Sequence, residues 1–227
     1  MLRPVRRTKR QMNERRIFSA SLIAIPLLIV LCMSLLEGPR LANYLAYEPV
    51  EGDVIFQSLP RSELADAIEG ATKSPWSHCG IVAKDEHGRW IVYEAMNGVE
   101  ATPLRQFVYR SRDGQYAVHR WQPQYESKVA AVLQQVRTQL GKPYDLRYRM
   151  DDEKIYCSEL IYKAFRQVTG EAPGKLVALG DLNWGPYQRF IEQLEGGDVP
   201  LEREMITPRD LAAAPQLALV HRGRAVP

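Results

Sequence analysis

Cysteine is scarce in this chain. Its 227 residues include three, Cys32, Cys79 and Cys157, too few for a disulfide framework, and the four histidines show no regular zinc-ligand spacing. No internal repeat or low-complexity tract occurs, which excludes a repeat array. A basic surplus is missing too: 30 Lys or Arg stand against 27 Asp or Glu, a net charge of +3. Residues 1–16 hold seven of those basic groups against Glu14 alone, so the rest of the chain is net acidic and a nucleic-acid partner has no electrostatic support.

Charge of either sign is absent from Ile17 to Leu36. At ~1.5 Å per helical residue that run matches a hydrocarbon core of ~30 Å, so residues 17–36 read as a transmembrane anchor or uncleaved signal. Pro26 is tolerated in a membrane helix. The basic leader, residues 1–16, stays on the cytoplasmic side and sends the chain beyond Leu36 across the membrane. In a bacterium this means a single-pass inner-membrane protein facing the periplasm; the alternative is secretion after signal cleavage. Leu31 is too large for a lipobox before Cys32. Residues 37–50 form a connector and residues 51–227 the domain.

Within the domain, Val54-Ile55-Phe56-Gln57 is short and β-prone, and Ser62 caps a helix with Leu64, Ala67, Ile68 and Ala71 on one face. Two β-rich runs, His78 to Lys84 and Trp90 to Ala95, surround a turn and predict a hairpin. With a loop of Asp85 to His87 and Gly88 in a bulge, Lys84 opposes Gly88 and His78 opposes Glu94. His78, Gly80, Val82, Trp90, Val92 and Glu94 then share one face, and Cys79, Ile81, Ile91, Tyr93 and Ala95 the other. An imidazole and a carboxylate become neighbours.

Tyr116 to Trp121 is a further strand, and Tyr125 to Leu140 an amphipathic helix with Val129, Val132, Leu133, Val136 and Leu140 inward. Apolar residues at Leu160, Ile161, Ala164, Phe165 and Val168 predict a helix that opens at Cys157 and closes near Gly170. The free N–H groups and positive dipole end of a first turn favour a thiolate, although buried cysteine is also a common small hydrophobe. A helix around Tyr187 to Leu194 and a last one capped by Thr207, with Pro208 first, complete an α+β order with a mainly antiparallel sheet. His87, His119 and His221 receive no role, and Trp76, Trp90, Trp121 and Trp184 read as core and rim.

Gly141, Pro143 and Tyr144, followed by Cys157-Ser158 at a helix start, resemble the NlpC class of papain-like cysteine hydrolases. His78 precedes the cysteine, as in the circularly permuted branch. Gly52-Asp53-Val54-Ile55-Phe56-Gln57, Ser77-His78-Cys79-Gly80-Ile81-Val82, Tyr93-Glu94-Ala95 and Tyr156-Cys157-Ser158-Glu159-Leu160 are similar to YiiX/YebB-like proteins in particular. The similarity spans roughly Glu51 to Pro215. It implies a permuted papain-like fold, with Cys157 as nucleophile, His78 as general base and acid, Glu94 orienting the imidazole, and Tyr144 assisting the nucleophile or oxyanion.

The expected function is a membrane-anchored thiol hydrolase of an amide or ester, without cofactor, acting on a small-molecule, peptide or lipid substrate through an acyl-enzyme. An acyltransferase acting on lipid with the same residues, and a non-catalytic binding module of the same fold, are the alternatives. A metal site from His78, Cys79, Glu94 and Cys157 is disfavoured because adjacent strand residues point oppositely. The same parity disfavours a Cys79–Cys157 bridge. Full-length protein made in bacteria should sediment with membranes and resist carbonate extraction, whereas deletion of residues 1–36 should release it.

Overall fold

The computed structural model describes residue 38 and residues 40–223. It divides the chain into two units, Met1–Ala42 and Asn43–Pro227, and the sheet and helices of the domain belong to the second. The expected anchor at 17–36 and the basic leader lie outside the described residues. Among the described residues no helix is long and apolar enough to cross a membrane.

Five short runs rich in β-branched and aromatic residues form strands: β1 (Val54–Gln57), β2 (His78–Lys84), β3 (Trp90–Ala95), β4 (Val99–Pro103) and β5 (Tyr116–Trp121). With β8 (Leu217–Arg222) they make a six-stranded sheet ordered β4-β3-β2-β1-β5-β8, in which every pairing is antiparallel. The helices are α1 (Glu63–Thr72), α2 (Leu104–Tyr109), α3 (Val129–Arg137), α4 (Cys157–Thr169), α5 (Gln188–Glu195) and α6 (Pro208–Ala212). A two-stranded ribbon pairs β6 (Val177–Ala178) with β7 (Glu204–Met205). The expected α+β architecture with an antiparallel sheet is present.

Both sheet faces are buried, which is why the central strands read as nearly continuous apolar runs. Val54, Phe56, Cys79, Ile81, Tyr93 and Ala95 face α3 and α4, whose Val132, Val136, Leu160, Ile161 and Phe165 complete the larger core. Ile55, Val82, Val92 and Val118 face the opposite way, toward Leu104, Phe107 and Val108 of α2. Between β1 and β5 a buried carboxylate, Asp53, accepts from Arg120 at 2.7 and 2.8 Å and from the Tyr47 hydroxyl at 2.7 Å. A buried carboxylate paired on several sides avoids the desolvation cost of a lone one.

The hairpin register differs from the sequence expectation by two residues. Lys84 pairs Trp90 and Gly80 pairs Glu94, so His78 lies beyond Glu94 rather than opposite it. The turn runs from Asp85 to Arg89: the Asp85 carboxylate accepts from the His87 and Arg89 amides, and the Asp85 N–H donates to the Arg89 carbonyl at 3.0 Å. The offset is even, so the expected sharing of faces survives. Two further expectations are corrected. The helix expected from Tyr125 begins as a 3₁₀ segment, Pro123–Lys128, and Leu140 lies past its end, 46% exposed. The segment carrying His221 is edge strand β8.

Gly80 is required by close approach. A Cβ there would come within 2.3 Å of Val92 Cγ1 and 2.9 Å of the Tyr93 carbonyl oxygen. Gly80→Ala should destabilise the domain by about 1–3 kcal/mol, read as a lower urea midpoint at unchanged m-value.

Candidate active site

Cys157 is the first residue of α4, and the segment before it is fixed by two devices. Tyr156 is the extended N-cap residue, its N–H donating to the Glu159 carboxylate at 3.2 Å. Upstream, Ile155 makes a parallel bridge with Tyr144, its N–H donating to the Pro143 carbonyl at 3.0 Å while Asp145 N–H donates to the Ile155 carbonyl at 3.2 Å. The Gly141-to-Tyr144 loop is thereby stitched to the chain that presents the sulfur. The amides of the first turn have no helical acceptors and aim their positive dipole end at whatever sits on Cys157.

His78 opens β2 and is buried, with a ring nitrogen, Nε2, 2.5 Å from Glu94 Oε2. That leaves Nδ1 for the Cys157 sulfur, whose charge acts on the imidazole. Phe107 lies beside the imidazole at 5.7 Å between ring centroids. Glu94 has no exposed surface, and its Oε2 also accepts from Arg110 Nη2 at 2.5 Å. Cys157, His78 and Glu94, the three side chains singled out in the sequence, therefore meet.

The electrostatics follow from these contacts. A hydrogen bond from the Cys79 thiol, opposed by burial and helped by the charge and hydrogen bond of His78, holds the Cys157 thiol well below the usual thiol range. Burial lowers the His78 pKa, but the Cys157 sulfur and the Glu94 carboxylate outweigh it and bring it to about 9. Burial likewise pushes Glu94 up, yet His78 and Arg110 hold it at about 2. All three shifts run the same way, toward a thiolate beside an imidazolium backed by a carboxylate.

As strand parity led one to expect, Cys79 and Cys157 form no bridge: both are free thiols, yet they share one core and each shifts the titration of the other. Adjacent strand residues do point oppositely, but α4 packs on the Cys79 face at the end of β2, where the first side chain of the strand, His78, reaches the same point. Burial and the Cys157 charge raise the Cys79 thiol, so it remains a protonated donor.

Tyr144 is half-buried, and its hydroxyl lies 3.0 Å from that of Tyr148. Burial, Tyr148 and then Cys157 raise its pKa, so it is a neutral hydroxyl within electrostatic reach of the sulfur. Tyr148 has φ of 54°, a left-handed backbone that a bulky residue rarely adopts. Arg110, Phe107 and Tyr148 carried no signal in the sequence, since α2 is only six residues long and the Tyr148 loop has no periodicity. Cys79 adjoins His78 in the chain, which is the one sequence signal that places it near the site.

A family model described as permuted papain-like amidase enzyme, YaeF/YiiX, C92 family, matches residues 48–221. The chain is 33% identical over 178 residues to the uncharacterized protein YiiX of Escherichia coli K12, covering 77% of this chain and 87% of that protein. A crystal structure described as metalloprotein yiiX from Escherichia coli O157:H7 is similar with a TM-score of 0.72 and 31% identity, over 78% of this chain and 98% of that one. In solution, alkylation of Cys157 should stay fast well below the ordinary thiol pKa. Cys79→Ala should move the acid limb of that rate profile upward, as read by peptide mapping.

Proposed function

This chain belongs to the permuted papain-like amidase family YaeF/YiiX, and from that premise we propose a cysteine hydrolase in which Cys157, His78 and Glu94 act as nucleophile, acid–base and orienting carboxylate. The observation that carries the reading is His78, held 2.5 Å from the Glu94 carboxylate, acting together with that carboxylate on a sulfur placed at the start of α4. The Cys157 thiolate adds to an amide or ester carbonyl, and the first-turn amides of α4 face the developing oxyanion. The His78 imidazolium then protonates the leaving amine or alcohol, giving a thioester. With His78 now neutral, it deprotonates water, which attacks the thioester and restores the thiolate and imidazolium.

Tyr144 supplies a neutral hydroxyl near the sulfur and fits an auxiliary donor to the oxyanion. An apolar groove between α1 and α5, lined by Leu64, Ala67, Phe190, Ile191 and Leu194, reaches Tyr148. It favours a substrate with an apolar group, and the same residues would serve lipid acyl transfer were the acceptor an alcohol or amine rather than water. The apolar segment 17–36 and basic leader support a single-pass anchor with residues 51–227 on the periplasmic side of the inner membrane.

The solved relative is described as a metalloprotein. In this chain the donors do not fit a metal ion: the Arg110 guanidinium stands on the Glu94 carboxylate, 2.5 Å from its Oε2, and its fixed positive charge opposes a cation beside it. Among the described residues no group of three or more His, Cys, Asp or Glu is arranged to hold one. No step of the reaction is routed through a metal.

A panel of N-acyl amides and esters should yield turnover that Cys157→Ala reduces by at least roughly 10³-fold. Since His78 must carry a proton to release the leaving group and its pKa is about 9, kcat should fall as pH rises through that value. Turnover by the alanine variant equal to wild type would overturn the reading.

A further inference from the structure

Behind the His78–Glu94 pair stands a fourth charged group. Arg110 caps the C-terminus of α2, its side chain 24% exposed, and donates from Nη2 to the same Glu94 oxygen that holds His78. Its guanidinium lies 5.1 Å from the Phe107 ring centroid, so Phe107 is packed by both the cation and the imidazole. Gln57, paired with His78 across β1 and β2, completes the arrangement. With its amide oriented to suit its neighbours, Gln57 donates to the Phe107 carbonyl at 2.9 Å and accepts from Arg110 at 3.0 Å. Nη2 of the guanidinium is therefore shared by Glu94 and Gln57, with the Phe107 ring beside it, before any substrate arrives.

We propose that Arg110 is a positioning residue of this site, whose guanidinium keeps Glu94 ionised and oriented and so maintains the Cys157–His78 ion pair. The inference rests on the reading of Cys157, His78 and Glu94 as the reacting groups. Its physical basis is the state of Glu94: a carboxylate with no exposed surface and with Oε1 lacking any hydrogen-bond partner. Burial drives such a group toward the neutral acid unless cations offset it. Two do, His78 and Arg110. Glu100 on β4, paired with Glu94 across the ladder, is exposed and of like sign, so it cannot replace either. Without Arg110 the burial effect gains, Glu94 takes a proton at higher pH, and His78 loses the charge that lets it hold the thiolate.

The experiment follows iodoacetamide alkylation of the Cys157 peptide against pH by mass spectrometry in the full-length protein, and needs no substrate. In wild type the acid limb lies well below the ordinary thiol range. Arg110→Met and Glu94→Gln should each raise it by about one pH unit, roughly tenfold slower alkylation at a fixed acid pH. Arg110→Lys should restore most of the wild-type profile. Adding Arg110→Met to Glu94→Gln should shift it no further, because the two groups act as one.

An Arg110→Met profile that overlays wild type, or a double variant shifted beyond Glu94→Gln alone, overturns the proposal. If Arg110→Met fails to fold for want of a partner to the buried carboxylate, the comparison of Glu94→Gln with the double variant decides, since neither leaves that charge alone. An ordinary thiol pKa for Cys157 in wild type is a different result: it removes the hydrolase reading itself, and the role of Arg110 with it.

Discussion

A carboxylate with no contact with water is the constraint on which this site depends. Moving an isolated carboxylate out of water costs several kcal/mol, and a protein keeps one charged only by supplying partners in fixed places. Glu94 has two, an imidazole and a guanidinium on one oxygen. They come from different elements, so β2, β3 and α2 must be correctly assembled for the charge to be tolerable. The polarity then propagates: Glu94 favours a cationic His78, and a cationic His78 favours an anionic sulfur. Glu94 itself never needs to touch a substrate.

The permuted order of the chain has little effect on this chemistry. The imidazole and acid come early, on a hairpin, and the sulfur comes much later, at the start of a helix that packs across the sheet face. Space, rather than sequence, brings them together. The join between the halves is made by main-chain hydrogen bonds in the Pro143–Asp145 and Ile155 stretch, which tie the loop bearing Tyr144 to the residue two places before Cys157.

Much of this was legible in the sequence, for identifiable reasons. The strands at Val54, His78, Trp90 and Tyr116 carry dense β-branched and aromatic residues, and α4 carries a clean helical stripe, so their local signals agree with their tertiary roles. Face-sharing of His78 with Glu94 was readable because it depends only on parity, while the register was not, because it depends on how Asp85 bonds its turn. Arg110 caps a helix of six residues that no periodicity can announce. The encounter of Cys79 with Cys157 depends on where α4 lands along β2, a packing distance that no residue pattern encodes.

The outermost strand has a consequence for how the molecule is made. Strand β5 has β1 on one side and β8 on the other, yet the whole helical half of the domain, from Trp121 to Leu217, is translated between β5 and β8. During biosynthesis that flank of β5 must wait, with its amides and carbonyls unpaired and open to other chains. Such a long-separation pairing carries a large loop-closure entropy and forms late. The newborn polypeptide is thus most exposed to misassembly after its sheet has begun to form and before β8 has docked.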